Sequence, residues 1–482
     1  MEKTKTAVIL IALTVLAFAL RWYLMPSHLF FGPEQGRDFL VIRDIVENHK
    51  LTLIGSKTDI DGVFHGPVYY YLAAIPFTLS RGNPVFVAAF FTILQSVSVF
   101  LAYALAYEIS KNKRTGLIAA ALFSVNYLFV VYSRWLSNPP LSIPLSLVFM
   151  LFLFRYIKGK PWYLVATAFV YGILGQVEFI NFLLFGVVGA TSMIVYRKQF
   201  VKTRFSIIVI TVFVALVASF ASYILFDLRH DFLVTNGITN LLLGKSGYKL
   251  PIHVSVWGAF HVLMEQVAQV VGLSGWKVGC IVLALLLVKK YHAFLYLWFC
   301  VPFLVFSLLR HGMLDQLYAG VVGVFILLIA LWIERLWEKK AIVGMSVLMF
   351  VLFLNGRAVV LNFPDNYRVF FQPQQPAVRY TDQLTVVDWV YKAAAGRPFE
   401  FQAYTIPYFL QQAWIYLFDW RGQRIYGYMP TPVDRKLLYV IIQKDRLDPL
   451  YQKNWYDKTV STWGTKTKEF TVGEYTVEER MP

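Results

Sequence analysis

The sequence predicts a polytopic all-α membrane domain of about eleven transmembrane helices, followed by a small C-terminal α/β soluble domain. Three observations predict it. Hydrophobic residues make up 58% of the chain and charged ones 15%, against roughly 45–50% and about 25% in soluble proteins. The apolar residues fall in runs of bilayer length. Of the 73 charged side chains, 28 lie after residue 361, in the last quarter of the chain. Such a composition excludes a disordered chain, a fibrous repeat and an ordinary soluble enzyme. Aromatics reach 17%, so many are expected at interfaces or lining sites. Cys280 and Cys300 sit in apolar runs and form neither a disulfide framework nor a metal motif.

A hydrocarbon core of about 30 Å needs about 20 apolar residues per helix. Suitable runs lie at 7–25, 84–108, 116–132, 141–157, 162–177, 179–196, 205–226, 272–288, 292–309, 317–333 and 341–360. The pair 162–177 and 179–196 reads as a tight hairpin turning at Gln176-Val177-Glu178. Basic residues concentrate in alternate connections, at 3–5, 111–114, 155–160, 197–204, 289–290 and 335–340. The intervening short connections carry little beyond Arg134 and Arg310. This alternation puts the N-terminus on the cytoplasmic side of the cytoplasmic (inner) membrane. The long loops 26–83 and 227–271, and everything after about 360, then lie outside. The first run could also be read as a cleaved signal peptide, with Ala17-x-Ala19 near its end. The odd span count requires that it stay.

The chain thus divides into a membrane domain, 1–361, and an outer domain, 362–482. Gln372-Pro373-Gln374-Gln375-Pro376 reads as a linker. A helix is expected near 380–394, a strand at 398–404, an aromatic helix near 406–418 and a strand at 437–443. Alternation over 467–480 predicts a hairpin turning at Gly473. There is no phosphate-binding glycine loop, no nucleophile elbow and no internal repeat.

The first outer loop carries the chemistry. In Gly32-Pro33-Glu34-Gln35-Gly36-Arg37-Asp38-Phe39, Pro33 suits a first helical position and Glu34 the positive helix end. Phe39, Ile42 and Val46 form an apolar stripe, which predicts an amphipathic helix in the outer membrane interface. Glu34, Arg37 and Asp38 are neighbours on it. A carboxylate beside a guanidinium is held ionised and can act as a general base. The same spacing also fits a solvated ion pair at a helix start. Further on, Asp59 and Asp61 form Asp-x-Asp, which binds divalent ions in some contexts and is a polar turn in others. His65-Gly66-Pro67-Val68-Tyr69-Tyr70-Tyr71 reads as the start of a second interfacial helix. His65 could donate to a phosphate or merely cap the turn.

This long first loop, with an early carboxylate, an interfacial helix and Gly-Pro followed by tyrosines, resembles the GT-C superfamily of integral-membrane glycosyltransferases. It resembles in particular the protein O-mannosyltransferase and lipid A aminoarabinose transferase group. There the loop motif is typically Asp-Glu-x-x-Tyr or Asp-Gln-Ala-Arg-Asp. Here Glu34-Gln35-Gly36-Arg37-Asp38 matches the second form, with Glu34 in place of the first Asp. Supporting similarities are Tyr132-Ser133-Arg134-Trp135-Leu136-Ser137-Asn138-Pro139, Gly175-Gln176-Val177-Glu178-Phe179, Phe226-Asp227-Leu228-Arg229-His230-Asp231-Phe232 and His311 to Tyr318. Trp414 to Tyr428 looks like a domain appended to some bacterial members.

The resemblance implies an inverting transferase. It would move a sugar from a polyprenyl-phosphate donor to an acceptor hydroxyl of a protein, lipid or glycan, with Glu34 as base and Asp38 as the alternative. A C55-like lipid tail needs an interfacial groove, and its phosphate needs basic donors. Candidates are Arg134, Arg229, His230, Lys245, Lys249, Arg310 and His311. Arg37, Asp59, Asp61, His65, Tyr69, Tyr70, Asn138, Glu178 and Tyr318 complete the expected substrate contacts. No cofactor is required, although a divalent cation, Mg or Mn, could use Glu34, Asp59, Asp61 or Glu178. A transporter or flippase would show inverted repeats and mid-membrane charges. A non-catalytic scaffold would bind no polyprenyl phosphate. Most of the +17 net charge flanks membrane spans and meets anionic lipid, so no nucleic-acid partner is expected.

Overall fold

The computed structural model describes residues 2–243, 245, 249–287, 293–310, 314–366, 379–431 and 436–482. The expected linker at 372–376 lies outside them. All eleven apolar stretches hold helix. Among the described residues, five helices are long and apolar enough to cross a membrane by themselves: Thr4–Trp22, Pro84–Ser110, Pro139–Ile157, Phe205–Asp227 and Ala341–Leu361. The chain is a multi-pass membrane protein. Shorter apolar helices, including Tyr163–Val177 and Ile180–Val195, pack among these. These two form the expected hairpin, with Glu178 between them.

One stretch read as a single span, 116–132, is instead broken. Lys113–Val125 and Tyr127–Ser133 meet at 56°. Asn126 causes the break, because its side chain accepts from Phe129 N–H as a new helix cap. Its amide donates to Val270 O (2.8 Å) and Asn355 Oδ1 (3.2 Å). The break frees carbonyls that a buried helix end cannot leave unpaired. Arg21, fully buried in the first helix, donates to Ser124 O at 3.0 Å and Phe123 O at 3.2 Å.

The first long loop, 26–83, folds as two main helices, Pro33–Glu47 and Val68–Ser80. Gly32 caps the first, and its N–H donates to the Gln35 side chain at 3.1 Å. The apolar stripe turns out as Phe39, Ile42 and Ile45, with Val46 only half-buried. It does not face lipid, as the sequence reading expects, but is covered by the chain itself. Phe39 packs edge-on against Tyr416 (5.1 Å) and Phe77 (5.9 Å). Likewise Tyr69 and Tyr70 are buried, and of the three tyrosines only Tyr71 is exposed, with its hydroxyl donating to Thr52 O at 2.7 Å.

In the tail, β1 (Glu400–Tyr404) pairs in parallel with β2 (Leu438–Gln443). β4 (Tyr475–Met481) pairs antiparallel with both β2 and β3 (Thr465–Val472), giving the order β1-β2-β4-β3. The hairpin turns at Gly473 with φ 55°. Tyr380–Ala394 forms the expected helix. The aromatic helix spans Gln412–Arg421 rather than 406–418, since Pro407 and a left-handed Phe409 (φ 61°) precede it. A helix at Pro449–Lys458 was not anticipated, although Asp448-Pro449 is a cap-and-start signal, and Asp448 accepts from Tyr451 N–H at 2.8 Å. One apolar core is shared between the tail and the loop 26–83, joining Phe31, Phe39 and Phe77 to Tyr380, Trp414 and Tyr416.

Candidate active site

Pro33 starts the helix, so Glu34, Arg37 and Asp38 share its first two turns. Asp38 is fully buried. Its Oδ1 accepts from Arg37, at 2.9 Å from Nε and 2.8 Å from Nη2, and from the Tyr70 hydroxyl at 3.1 Å. Its Oδ2 is buried without a hydrogen bond, as is the Tyr69 hydroxyl nearby. Burial pushes the Asp38 carboxyl up to about 6, and Arg37 and Tyr70 only partly offset this. Asp38 therefore holds the guanidinium in place. Glu34 is half-buried and accepts no hydrogen bond among the described residues. The sequence reading expects Arg37 to hold it ionised. Burial outweighs that pull and raises its pKa, which brings a carboxylate closer to the range useful for proton transfer at neutral pH.

The second half of the site comes from residues distant in sequence. A strap fixes His65: Gly55 N–H donates to His65 O (2.7 Å), and His65 N–H donates to Ser56 O (2.9 Å). Gly66 N–H then donates to Gln176 O at 2.7 Å, tying the loop to the helix hairpin. Side chains larger than hydrogen do not fit at Gly66, where a Cβ would lie 1.8 Å from Gln176 Oε1. His65 Nδ1 lies 3.7 Å from Glu178 Oε1. The two are not an ion pair, because Nδ1 already accepts from Phe179 N–H at 3.2 Å. Burial and the nearby Arg37 push the His65 ring down to about 4. A neutral ring that accepts at Nδ1 carries its proton on Nε2 and donates from there.

Glu178 is raised to about 8, by burial first and then by the charges of Asp59 and Glu34. It is therefore protonated at neutral pH and offers a hydrogen-bond donor. The folded value exceeds the ordinary one near 4.5, so its ionisation costs stability increasingly as pH rises from 4.5 to 8. Glu178→Gln is expected to melt several degrees above the unmodified protein at pH 9, with the gap narrowing as pH falls towards 5. Thermal unfolding across that range checks this.

Glu34, Arg37, Asp38, His65, Tyr69, Tyr70 and Glu178 thus form one electrostatically coupled group, with Asp59 at its edge. Other expected contacts lie elsewhere. Asp59 and Asp61 are both exposed. Arg134 is buried and donates to Tyr23 O. Asn138 is buried, and its carbonyl accepts from Leu141 N–H. Tyr318 is fully buried, with its hydroxyl on Ala259 O at 3.0 Å. Arg229, His230, Lys245, Lys249 and Arg310 are exposed. His230 stacks on Phe226 at 3.9 Å, and Arg310 Nε donates to Leu250 O at 2.8 Å. His311 lies outside the described residues. Among the described residues no three His, Cys, Asp or Glu side chains are placed to hold a metal ion. Sequence reasoning missed Gly55, Ser56 and Gly36, whose importance lies in backbone approach and leaves no side-chain signature.

Residues 64–223 match the family described as dolichyl-phosphate-mannose-protein mannosyltransferase. That stretch contains His65, Tyr69, Tyr70 and Glu178 and begins after Glu34. ArnT from Cupriavidus metallidurans, solved bound to undecaprenyl phosphate, superposes with a TM-score of 0.61 at 11% identity. Its apo structure superposes at 0.66 and 9% identity. Each match covers 99% of this chain and 98% of the other. A search of the curated proteins found no match. The fold is thus the ArnT-like GT-C fold over the length of the chain.

Proposed function

We propose that this chain is an inverting glycosyltransferase. It moves a sugar from a polyprenyl-phosphate donor to an acceptor hydroxyl on the outer face of the membrane. The observation that carries the reading is Glu34, half-buried and accepting no hydrogen bond among the described residues, beside a buried Asp38–Arg37–Tyr70 network and the neutral donors His65 and Glu178.

The acceptor proton passes to Glu34 as the acceptor oxygen attacks the anomeric carbon. The bond from that carbon to the phosphate oxygen breaks, and its electron pair leaves with the lipid phosphate. Arg37, about two-fifths exposed despite its pairing with Asp38, faces the leaving phosphate with a charge-assisted donor. His65 Nε2–H and protonated Glu178 add neutral donors to phosphate or sugar oxygens. A phosphate leaving group needs no strong general acid, so one base suffices. Glycoside hydrolysis, by contrast, needs two carboxylates.

The test is membranes containing the chain, offered a panel of radiolabelled polyprenyl-phosphate sugars. Labelled product from at least one donor is expected, and turnover from none contradicts the proposal. The pH profile of the active donor is expected to be bell-shaped. It falls at low pH as Glu34 takes up a proton, and falls above about 8 as Glu178 loses one. Glu178→Gln is expected to remove the alkaline limb.

A further inference from the structure

Gly36 lies between Glu34 and Arg37 on the catalytic helix. A methyl there would lie 2.2 Å from Ala413 N, 2.4 Å from Ala413 Cα and 2.4 Å from the Gln412 carbonyl carbon. The catalytic helix therefore meets the start of the tail's Gln412–Arg421 helix backbone to backbone. Two turns on, Arg43 donates to Asp419 Oδ2 at 2.9 Å. Just before the helix, Gln383 Nε2 donates to Phe31 O at 3.1 Å. The Tyr416 hydroxyl and Trp420 Nε1 donate to Gly82 O and Arg81 O, gripping the end of the Val68–Ser80 helix. Both helices that carry site residues are thus held by the tail.

We propose that the C-terminal unit is a positioning element of the transfer site. Its Gln412–Arg421 helix sets the height and rotation of the helix bearing Glu34, with Gly36 and the Arg43–Asp419 pair as positioning residues. This rests on Glu34 being the base. A base must lie within about 3 Å of the proton it takes. Restoring ordinary van der Waals contact around a methyl at Gly36 moves the two helices apart by about 1 Å, and a misplacement of that size costs about 100-fold in rate. The Arg43–Asp419 pair sits on the same interface, with both side chains about one-fifth exposed.

The experiment uses the full chain in lipid nanodiscs. Amide exchange is measured by mass spectrometry, and transfer is measured with the same panel of polyprenyl-phosphate sugars. Arg43→Asp and Asp419→Arg are each expected to raise exchange across 33–47 while Pro84–Ser110 is unchanged. Each should lower kcat about tenfold with donor KM within twofold, and the double swap should restore both readouts. Gly36→Ala should lower kcat about 100-fold. Unchanged exchange across 33–47 in the single variants overturns the inference. So does raised exchange with normal kcat, or a swap that restores neither. Wild-type protein that uses no donor contradicts the proposed function as well, and is distinguished from failure of this inference alone, in which wild type and variants are equally active.

Discussion

Glu34→Gln is expected to give a folded, membrane-inserted protein whose sugar transfer falls about 100- to 10,000-fold. The carboxamide keeps the size of the side chain, removes its charge and basicity, and adds an N–H donor. Nothing structural leans on that group, since Glu34 accepts no hydrogen bond among the described residues. Burial disfavours its ionised form, so the variant should melt no lower than the parent at neutral pH. Donor KM should hardly move, because the proton transfer stabilises the transition state and not the bound lipid. Initial rates with saturating donor, together with a melting curve, separate this outcome from misfolding. Near-normal turnover would reassign the base.

Arg37→Met is expected to damage both stability and activity. Asp38 would keep only the Tyr70 hydroxyl and would lose the counter-charge that offsets its burial. Leaving a buried carboxylate without its cation costs about 3–5 kcal/mol in a fully enclosed pair. Arg37 is 41% exposed, so water already screens the pair and about 2 kcal/mol is the expected loss. The loss should grow with pH. The Asp38 carboxyl, at about 6 even with Arg37 present, rises further without it, so the variant goes on losing stability as pH rises above 6, where the parent's loss has levelled off. Transfer should fall by at least about 100-fold, as the leaving phosphate loses the nearest cation. A melting series between pH 5 and 8, with rates at each pH, tests both effects. Arg37→Lys should recover part of the stability and less of the rate, because an ammonium cannot reproduce the fork to Asp38.

The membrane helices and the sheet of the tail are legible in the sequence because each is a local pattern. Twenty apolar residues make a span wherever they occur, and Gly473 between alternating segments makes a hairpin. The Glu34-Arg37-Asp38 turn is legible for the same reason. What is not legible is how distant segments meet. Gly66 meets Gln176 across 110 residues and Gly36 meets Ala413 across 377, and neither contact uses a side chain that a pattern could reveal. The stripe at Phe39 and Ile42 shows an amphipathic helix but not its cover, since lipid and the aromatic face of the Gln412–Arg421 helix present similar chemistry. Arg134 illustrates the converse limit. Its side chain suits a phosphate equally well, yet its guanidinium lies buried and donates to the Tyr23 carbonyl. The break at Asn126 was hidden because an asparagine inside an apolar run does not announce whether it will cap, and here a second asparagine, 229 residues away, completes the site.

The most direct measurement is an electron cryomicroscopy structure of Glu34→Gln trapped with an unreacted polyprenyl-phosphate sugar. The account predicts the phosphate within hydrogen-bonding distance of Arg37 and His65 Nε2, and the residue-34 carboxamide facing the space beside the anomeric carbon where an acceptor oxygen would enter. A phosphate held instead at Arg229, Lys249 or Arg310, with the sugar remote from residue 34, would contradict it.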